Sequence, residues 1–232
     1  MRRSLKGETL EKVCIPIVET TVKKALRAIQ EANRMADLIE IRVDYLQKPE
    51  LGLLLDGRQK PFIVTNRREK EGGRYKGDER KRLSILKEAI DLGAEYVDME
   101  MRSDRSLLQN LIENKNGTKI ILSFHDFKRT PSPKELKGLF DRMIRWGADV
   151  IKVVTFARSW EDNLRVLSLI PYVRGKKQKI VTFCMGEKGK MSRIFSPLMG
   201  AAWTYASSNK NRASAPGQFT IHEMKEIWKR LR

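Results

Sequence analysis

Cysteine and histidine are scarce here, with two of each in 232 residues. Cys14 and Cys184 lie far apart in apolar runs and lack metal-type spacing. That argues against a disulfide framework or a zinc site and for buried thiols in a reducing cytoplasm. No run of about 18 apolar residues occurs, so no membrane-spanning helix is expected. The opening Met1-Arg2-Arg3-Ser4-Leu5-Lys6-Gly7 lacks the apolar stretch of a secretory signal. Aromatics make up only 7%, and no motif interleaves them with basic residues. The net charge of +18 permits nucleic-acid binding and also favours steering of small anions, but the basic residues are mostly spread over predicted helices and read first as solvated faces. No Gly-x-Gly-x-x-Gly turn follows the first apolar run, which counts against a dinucleotide fold.

What is present is a regular alternation. Strands are expected over 12–18, 38–45, 61–67, 95–101, 119–127, 150–156, 179–185 and, more weakly, 202–206. Between them run amphipathic stretches with capping signals. Thr20 or Thr21, Ser103 and Ser159 stand at predicted helix starts. Ser132-Pro133-Lys134-Glu135 and Thr220-Ile221-His222-Glu223 read as capping boxes. Eight β-then-α units predict an α/β fold, a single-domain (β/α)8 TIM barrel over 10–232, after a basic N-terminal extension over 1–9. An open doubly wound sheet is the alternative.

Both faces of a parallel barrel strand are buried, so the strands should be nearly all apolar. Several are not. In Leu38-Ile39-Glu40-Ile41-Arg42-Val43-Asp44-Tyr45, alternation puts Glu40, Arg42 and Asp44 on one face. Thr65 with Arg67, Asp98 with Glu100, and Ser123 with His125 repeat the pattern. Lys152 interrupts Val150-Ile151-Lys152-Val153-Val154-Thr155-Phe156. If the barrel closes, these groups converge toward its C-terminal mouth, where barrel enzymes place their chemistry. A buried lysine is either matched by carboxylates or depressed into a usable amine nucleophile. His125 titrates in the range suited to proton transfer. Arg42, Arg67 and Arg193 can each grip a carboxylate through two hydrogen bonds. Asp44, Asp98 and Glu100 read mainly as scaffolding partners for these cations.

These residues, in this order, resemble type I 3-dehydroquinate dehydratase, a Schiff-base enzyme of the shikimate pathway. The resemblance rests on Glu40-Ile41-Arg42-Val43-Asp44, Arg67 with Lys70-Glu71-Gly72-Gly73, and Ser123-Phe124-His125-Asp126-Phe127. It continues through Lys152, Met185-Gly186, Ser192-Arg193 and Ser214-Ala215-Pro216-Gly217-Gln218. It implies a (β/α)8 barrel that converts 3-dehydroquinate to 3-dehydroshikimate and water without metal or organic cofactor. It implies Lys152 as imine-forming nucleophile, His125 as acid and base, and Glu71 as the carboxylate that orients His125. Glu40, Arg42, Arg67, Arg193, Ser214, Gln218 and Met185 are the implied substrate-binding positions. The resemblance also implies a cytoplasmic homodimer with no nucleic-acid or membrane partner. Pro16 stands where many relatives carry serine. A class I aldolase would also use Lys152 but leaves the Ser214–Gln218 segment unexplained. A basic nucleic-acid-binding protein leaves the strand charges unexplained. A barrel that has lost its activity would not need Lys152, His125 and Glu71 together.

Overall fold

Eight strands run parallel and curl into a barrel, with helices covering the outside. The computed structural model describes residues 11–212 and 214–231. The expected basic extension over 1–9 lies outside the described residues. The order is β1 (Val13–Ile17), α1 (Val22–Asn33), β2 (Leu38–Arg42), α2 (Leu51–Leu55), β3 (Phe62–Thr65), α3 (Glu79–Asp91), β4 (Tyr96–Glu100) and α4 (Arg105–Glu113). Then come β5 (Lys119–His125), α5 (Pro133–Arg145), β6 (Val150–Phe156), α6 (Glu161–Leu167), α7 (Leu169–Gly175), β7 (Lys179–Met185), α8 (Lys190–Leu198), β8 (Thr204–Tyr205) and α9 (Ile221–Leu231). The hydrogen-bonded ladder runs from β7 down to β1 and on to β8. The Ala202 amide reaches the Ile180 carbonyl at 2.7 Å and draws the β8 segment onto β7. Among the described residues, no helix is long and apolar enough to cross a membrane.

Strand alternation produces two apolar layers. Ile39, Ile41, Val64, Val97, Leu122, Ile151 and Val153 point outward and pack under the helices. Leu38, Ile63, Tyr96, Ile121, Val150, Val181 and Trp203 point inward and fill the barrel. Burying each such aliphatic side chain contributes about 1.5–3 kcal/mol. Cys14 and Cys184 are buried free thiols. Helix α5 begins on the expected box, with Ser132 and Glu135 each accepting the other's backbone N–H. Thr220 and Glu223 exchange the same pair of bonds at the start of α9.

Several boundaries differ from the sequence reading, for local reasons. The second strand stops at Arg42, and Val43–Tyr45 winds into a 3-10 turn. There Asp44 accepts two bonds from Arg42, at 2.9 and 2.7 Å, and one from the Arg74 amide. Asp44 therefore leaves the face that Glu40 and Arg42 share. Asp104 rather than Ser103 caps α4, because the Ser103 hydroxyl is taken by Arg82 at 2.8 Å. Ser159 does not cap α6; the Asp162 carboxylate collects the amides of Arg158 and Ser159 instead. The helical stretch after β6 splits at Ser168, with Pro171 in the first turn of α7. Proline has no N–H to continue the preceding helix and fits a first turn. The last strand is two residues long rather than five.

Candidate active site

The C-terminal ends of the strands, with the loops after β3 and β8, enclose a small chamber with a cavity volume of about 80 Å³. It is built on the register Arg42–Thr65–Asp98 across β2, β3 and β4, and Glu100–Ser123–Lys152 across β4, β5 and β6. Parallel pairing puts these polar residues in successive inward rows above the apolar filling.

Lys152 is 5% exposed. Its Nζ donates to Asp98 Oδ2 at 2.9 Å, Tyr205 Oη at 3.1 Å and Glu40 Oε1 at 3.2 Å. An ammonium has three N–H groups, and all three are matched here. The carboxylates are held in turn. Glu40 Oε1 accepts from the Thr65 hydroxyl at 2.9 Å. Asp98 pairs with Arg67 at 2.7 Å and accepts from the Ser123 hydroxyl at 2.6 Å. Burial alone would raise the Asp98 carboxyl, but Arg67 and Lys152 outweigh it and hold Asp98 far below the usual carboxylate range.

His125 closes β5. Its Nδ1 lies 3.2 Å from Glu71 Oε2. Glu71 comes from the loop after β3, which turns back at Gly72, where φ is +78°. The next residue, Gly73, is pressed so tightly on the Arg67 carbonyl that a methyl group there would overlap it. Glycine at both positions lets the loop fold back and deliver Glu71. Burial pushes the Glu71 carboxyl up, against the pull of Arg67, Arg102 and Arg68. Burial, reinforced by Arg67 and Lys152, holds the His125 imidazole well below its ordinary value. It is therefore neutral at neutral pH.

The three arginines named from the sequence are not equivalent. Arg42 is committed to Asp44. Arg67 is committed to Asp98, with Ser123 at 2.6 Å and Glu100 at 3.6 Å. Arg193, 1% exposed in α8, has no carboxylate partner among the described residues. Among the described residues its Nη2 reaches only the Pro216 carbonyl, at 3.4 Å, and its Nε has no hydrogen-bond partner. The guanidinium lies 4.4 Å from the centre of the Phe183 ring. Burial pulls it down to about 10, so it stays cationic at neutral pH.

The loop after β8 covers the mouth. Ser214 donates through its amide and hydroxyl to Gln218 Oε1, at 2.7 and 3.2 Å. Gly217, at φ +73°, seats against the Gly186 carbonyl with no room for a side chain. Met185 and Phe183 form the apolar side beneath it.

All ten site residues named from the sequence border this one chamber. Two further partners of the amine lie beside these ten. Asp98, a scaffolding carboxylate on the sequence pattern, fills that role by pairing with both Arg67 and Lys152. Tyr205 carries no sequence signal beyond an inward position near the end of a weak strand.

A family model described as type I 3-dehydroquinase matches residues 13–232. The chain is 38% identical over 219 residues to a 3-dehydroquinate dehydratase of Methanocaldococcus jannaschii, covering 94% of this chain and 97% of the relative. It is 37% identical over 221 residues to one from Desulfotalea psychrophila, with 94% and 97% covered. Among solved structures, the type I enzyme of Clostridium difficile, determined with covalently modified comenic acid, superposes at TM-score 0.86 and 25% identity, covering 95% of this chain and 92% of that one. The 3-dehydroquinate dehydratase of Geobacillus kaustophilus superposes at 0.86 and 27% identity, with 95% and 91% covered. With its barrel and near-full-length match, the chain belongs to the type I 3-dehydroquinase family and is a hydro-lyase of the 3-dehydroquinate dehydratase type.

Proposed function

We propose that this barrel dehydrates 3-dehydroquinate through an imine on Lys152, with His125 as the proton carrier. The observation that carries this reading is the joint presence in one chamber of the Lys152 amine, the neutral His125 and the uncompensated Arg193 cation. The substrate carboxylate docks on Arg193, whose free donors suit two-point recognition. That contact swings the C3 ketone toward Lys152. His125 takes a proton from the Lys152 ammonium, the free amine adds to C3, and His125 returns that proton to the carbinolamine oxygen, which leaves as water to give an iminium and a neutral His125.

The iminium withdraws electrons from C2. His125, with Nδ1–H directed at Glu71, offers its Nε2 lone pair and takes the C2 proton. The C2 electron pair forms an enamine, then the C1–C2 double bond as the C1–O bond breaks. The departing hydroxide takes the proton from His125 and leaves as water. Hydrolysis of the imine frees 3-dehydroshikimate and restores Lys152. Glu71 fixes the imidazole tautomer and orientation. Glu40, Arg42, Arg67, Ser214 and Gln218 position the substrate hydroxyls and the covering loop, and Met185 packs beside the ring. The imine itself is the electron sink, so no metal or organic cofactor enters this scheme. The substrate is the only partner it requires; a cytoplasmic homodimer is the accompanying proposal.

Borohydride reduction in the presence of 3-dehydroquinate, followed by intact mass and peptide mapping, tests the scheme. A substrate-dependent adduct on Lys152 is expected. A folded, active chain that forms none would overturn the imine.

A further inference from the structure

Lys152 is held by two carboxylates and one phenol, and the phenol is the partner the scheme above leaves without a task. Tyr205 ends the two-residue β8, opposite Cys14 in the β1 register. It is 5% exposed and borders the chamber. Its Oη sits 3.1 Å from Lys152 Nζ, and the Nζ lies 4.4 Å from the centre of its ring. The same Oη approaches Glu40 Oε1 at 3.5 Å. Burial, with the charge of Glu40, pushes the phenol well above its ordinary value. It is therefore a neutral hydroxyl that both accepts and donates.

The three partners differ in what they can do once Lys152 sheds a proton to become nucleophilic. Ionised Asp98 and Glu40 only accept, so they hold an ammonium firmly and offer nothing to the lone pair of a free amine. A phenol accepts from an ammonium and, after rotating its O–H, donates to a neutral amine. We propose that Tyr205 is a positioning residue for Lys152, its hydroxyl keeping Nζ aimed into the chamber through the change of protonation that imine formation requires. This inference rests on the imine reading above. A neutral amine keeps two N–H donors for Asp98 and Glu40, but of these three partners only the phenol can also engage its lone pair, so the hydroxyl adds a restraint as the charge is lost.

The experiment is Tyr205→Phe in the full chain, which keeps the ring and removes one oxygen. Glu40 keeps its Thr65 bond, so no buried carboxylate is orphaned. Three quantities are read: kcat and KM for dehydration, the rate of borohydride-trapped adduct formation against pH, and the melting temperature. The expected result is a kcat lower by about 10-fold, the scale of one hydrogen bond to a charged group, with KM nearly unchanged. Losing an acceptor disfavours the ammonium, so the acid limb of adduct formation moves to lower pH. A merely structural hydroxyl would lower the melting temperature and leave that limb in place. A wild-type kcat with a wild-type pH profile overturns the inference, as does a Tyr205→Phe chain that fails to reach the wild-type circular dichroism. If the wild-type chain itself forms no adduct, the imine reading fails first and this inference with it. A wild-type adduct beside an unaltered Tyr205→Phe profile removes only the tyrosine.

Discussion

On the wall built by β2, β3 and β4, Arg42 and Arg67 each meet a carboxylate at 2.7 Å. Across the mouth, on α8, Arg193 meets among the described residues a backbone carbonyl at 3.4 Å and the face of the Phe183 ring, but no carboxylate. Both walls are buried, so the contrast is not one of solvent. On the first wall charge is neutralised within the protein: Arg67 binds Asp98, Asp98 binds Lys152, and Arg82 meets Glu100 at 2.5 Å. Such a network is rigid and sets where the amine points. On the second wall a cation is kept desolvated without a counter-ion, which costs folding energy unless an anion arrives. The first wall prepares the nucleophile and the second waits for a ligand of negative charge.

The largest expected effect lies where the paired wall meets the chemistry. Lys152→Ala should reduce turnover to the detection limit and abolish borohydride trapping. It also leaves Asp98 and Glu40 without their shared cation. Breaking a buried pair costs up to about 3–5 kcal/mol, less here because Arg67 still holds Asp98. Circular dichroism and urea unfolding separate the two losses. Near wild-type turnover in a folded Lys152→Ala chain would end the nucleophile assignment.

His125→Ala comes next. Removing a positioned general acid–base group costs about 10²–10⁴-fold in rate, with some substrate adduct still trapped on Lys152. The wild-type pH dependence sharpens the same point. The folded imidazole is held below the value it has in the unfolded chain. Its neutral form therefore stabilises the fold above roughly pH 6.5, the unfolded value, and this stability is lost as pH falls toward the lower folded value. The acid limb of kcat/KM that reports His125 should lie below pH 6.5 for the same reason. A limb above 6.5 that vanishes in His125→Ala would contradict the electrostatics of this wall.

The walls are compared directly by Arg67→Met and Arg193→Met. Arg67→Met strips Asp98 and Glu100 of a buried partner and should lower unfolding free energy by up to about 3–5 kcal/mol, less to the extent that Lys152 still meets Asp98 and Arg82 still meets Glu100. Arg193→Met removes a cation with no carboxylate to orphan, so stability should hold or rise. Its kcat/KM should fall by roughly 10- to 150-fold, the worth of about 1.5–3 kcal/mol of charged hydrogen bonding. Urea unfolding with steady-state kinetics on both variants decides it. If Arg193→Met is the destabilised one, the division between walls is wrong.

The barrel was legible because its strands break a simple expectation in a regular way. Glu40, Thr65, Asp98, Ser123 and Lys152 each interrupt an apolar run on the inward parity, and only a closed barrel brings those parities together. What could not be read was pairing. Arg42, Arg67 and Arg193 look alike in sequence, and their partners depend on strand register and on a turn at Val43–Tyr45 that propensity does not announce. The approach of Glu71 to His125 came through family resemblance, since it depends on a loop folded against the Arg67 backbone. Ser103 and Ser159 failed as caps because neighbouring Asp104 and Asp162 are stronger acceptors, and a buried arginine had already claimed Ser103. Tyr205 escaped notice because two residues of regular strand carry almost no periodic signal.

The smallest expected effect belongs to the loop that closes the unpaired wall. Gly217 sits in left-handed backbone against the Gly186 carbonyl, and the adjoining Pro216 carbonyl is the protein contact of Arg193. A side chain there must displace either the loop or the β7–α8 turn. An L-residue in this conformation costs about 1–2 kcal/mol, and the overlap with Gly186 favours release of the loop over strain of the barrel. Gly217→Ala should therefore lower kcat/KM by roughly 5- to 30-fold if that cost falls on the closed loop. The melting temperature should barely change, because Ser214 to Gln218 contributes little to either apolar layer. Limited proteolysis should cut this segment faster in the variant, and saturating substrate should slow the cutting by restoring an anion between Arg193 and the loop. Equal cutting rates with and without substrate would mean that the loop closes independently of the charge beneath it, and Arg193 would then act on the ligand alone.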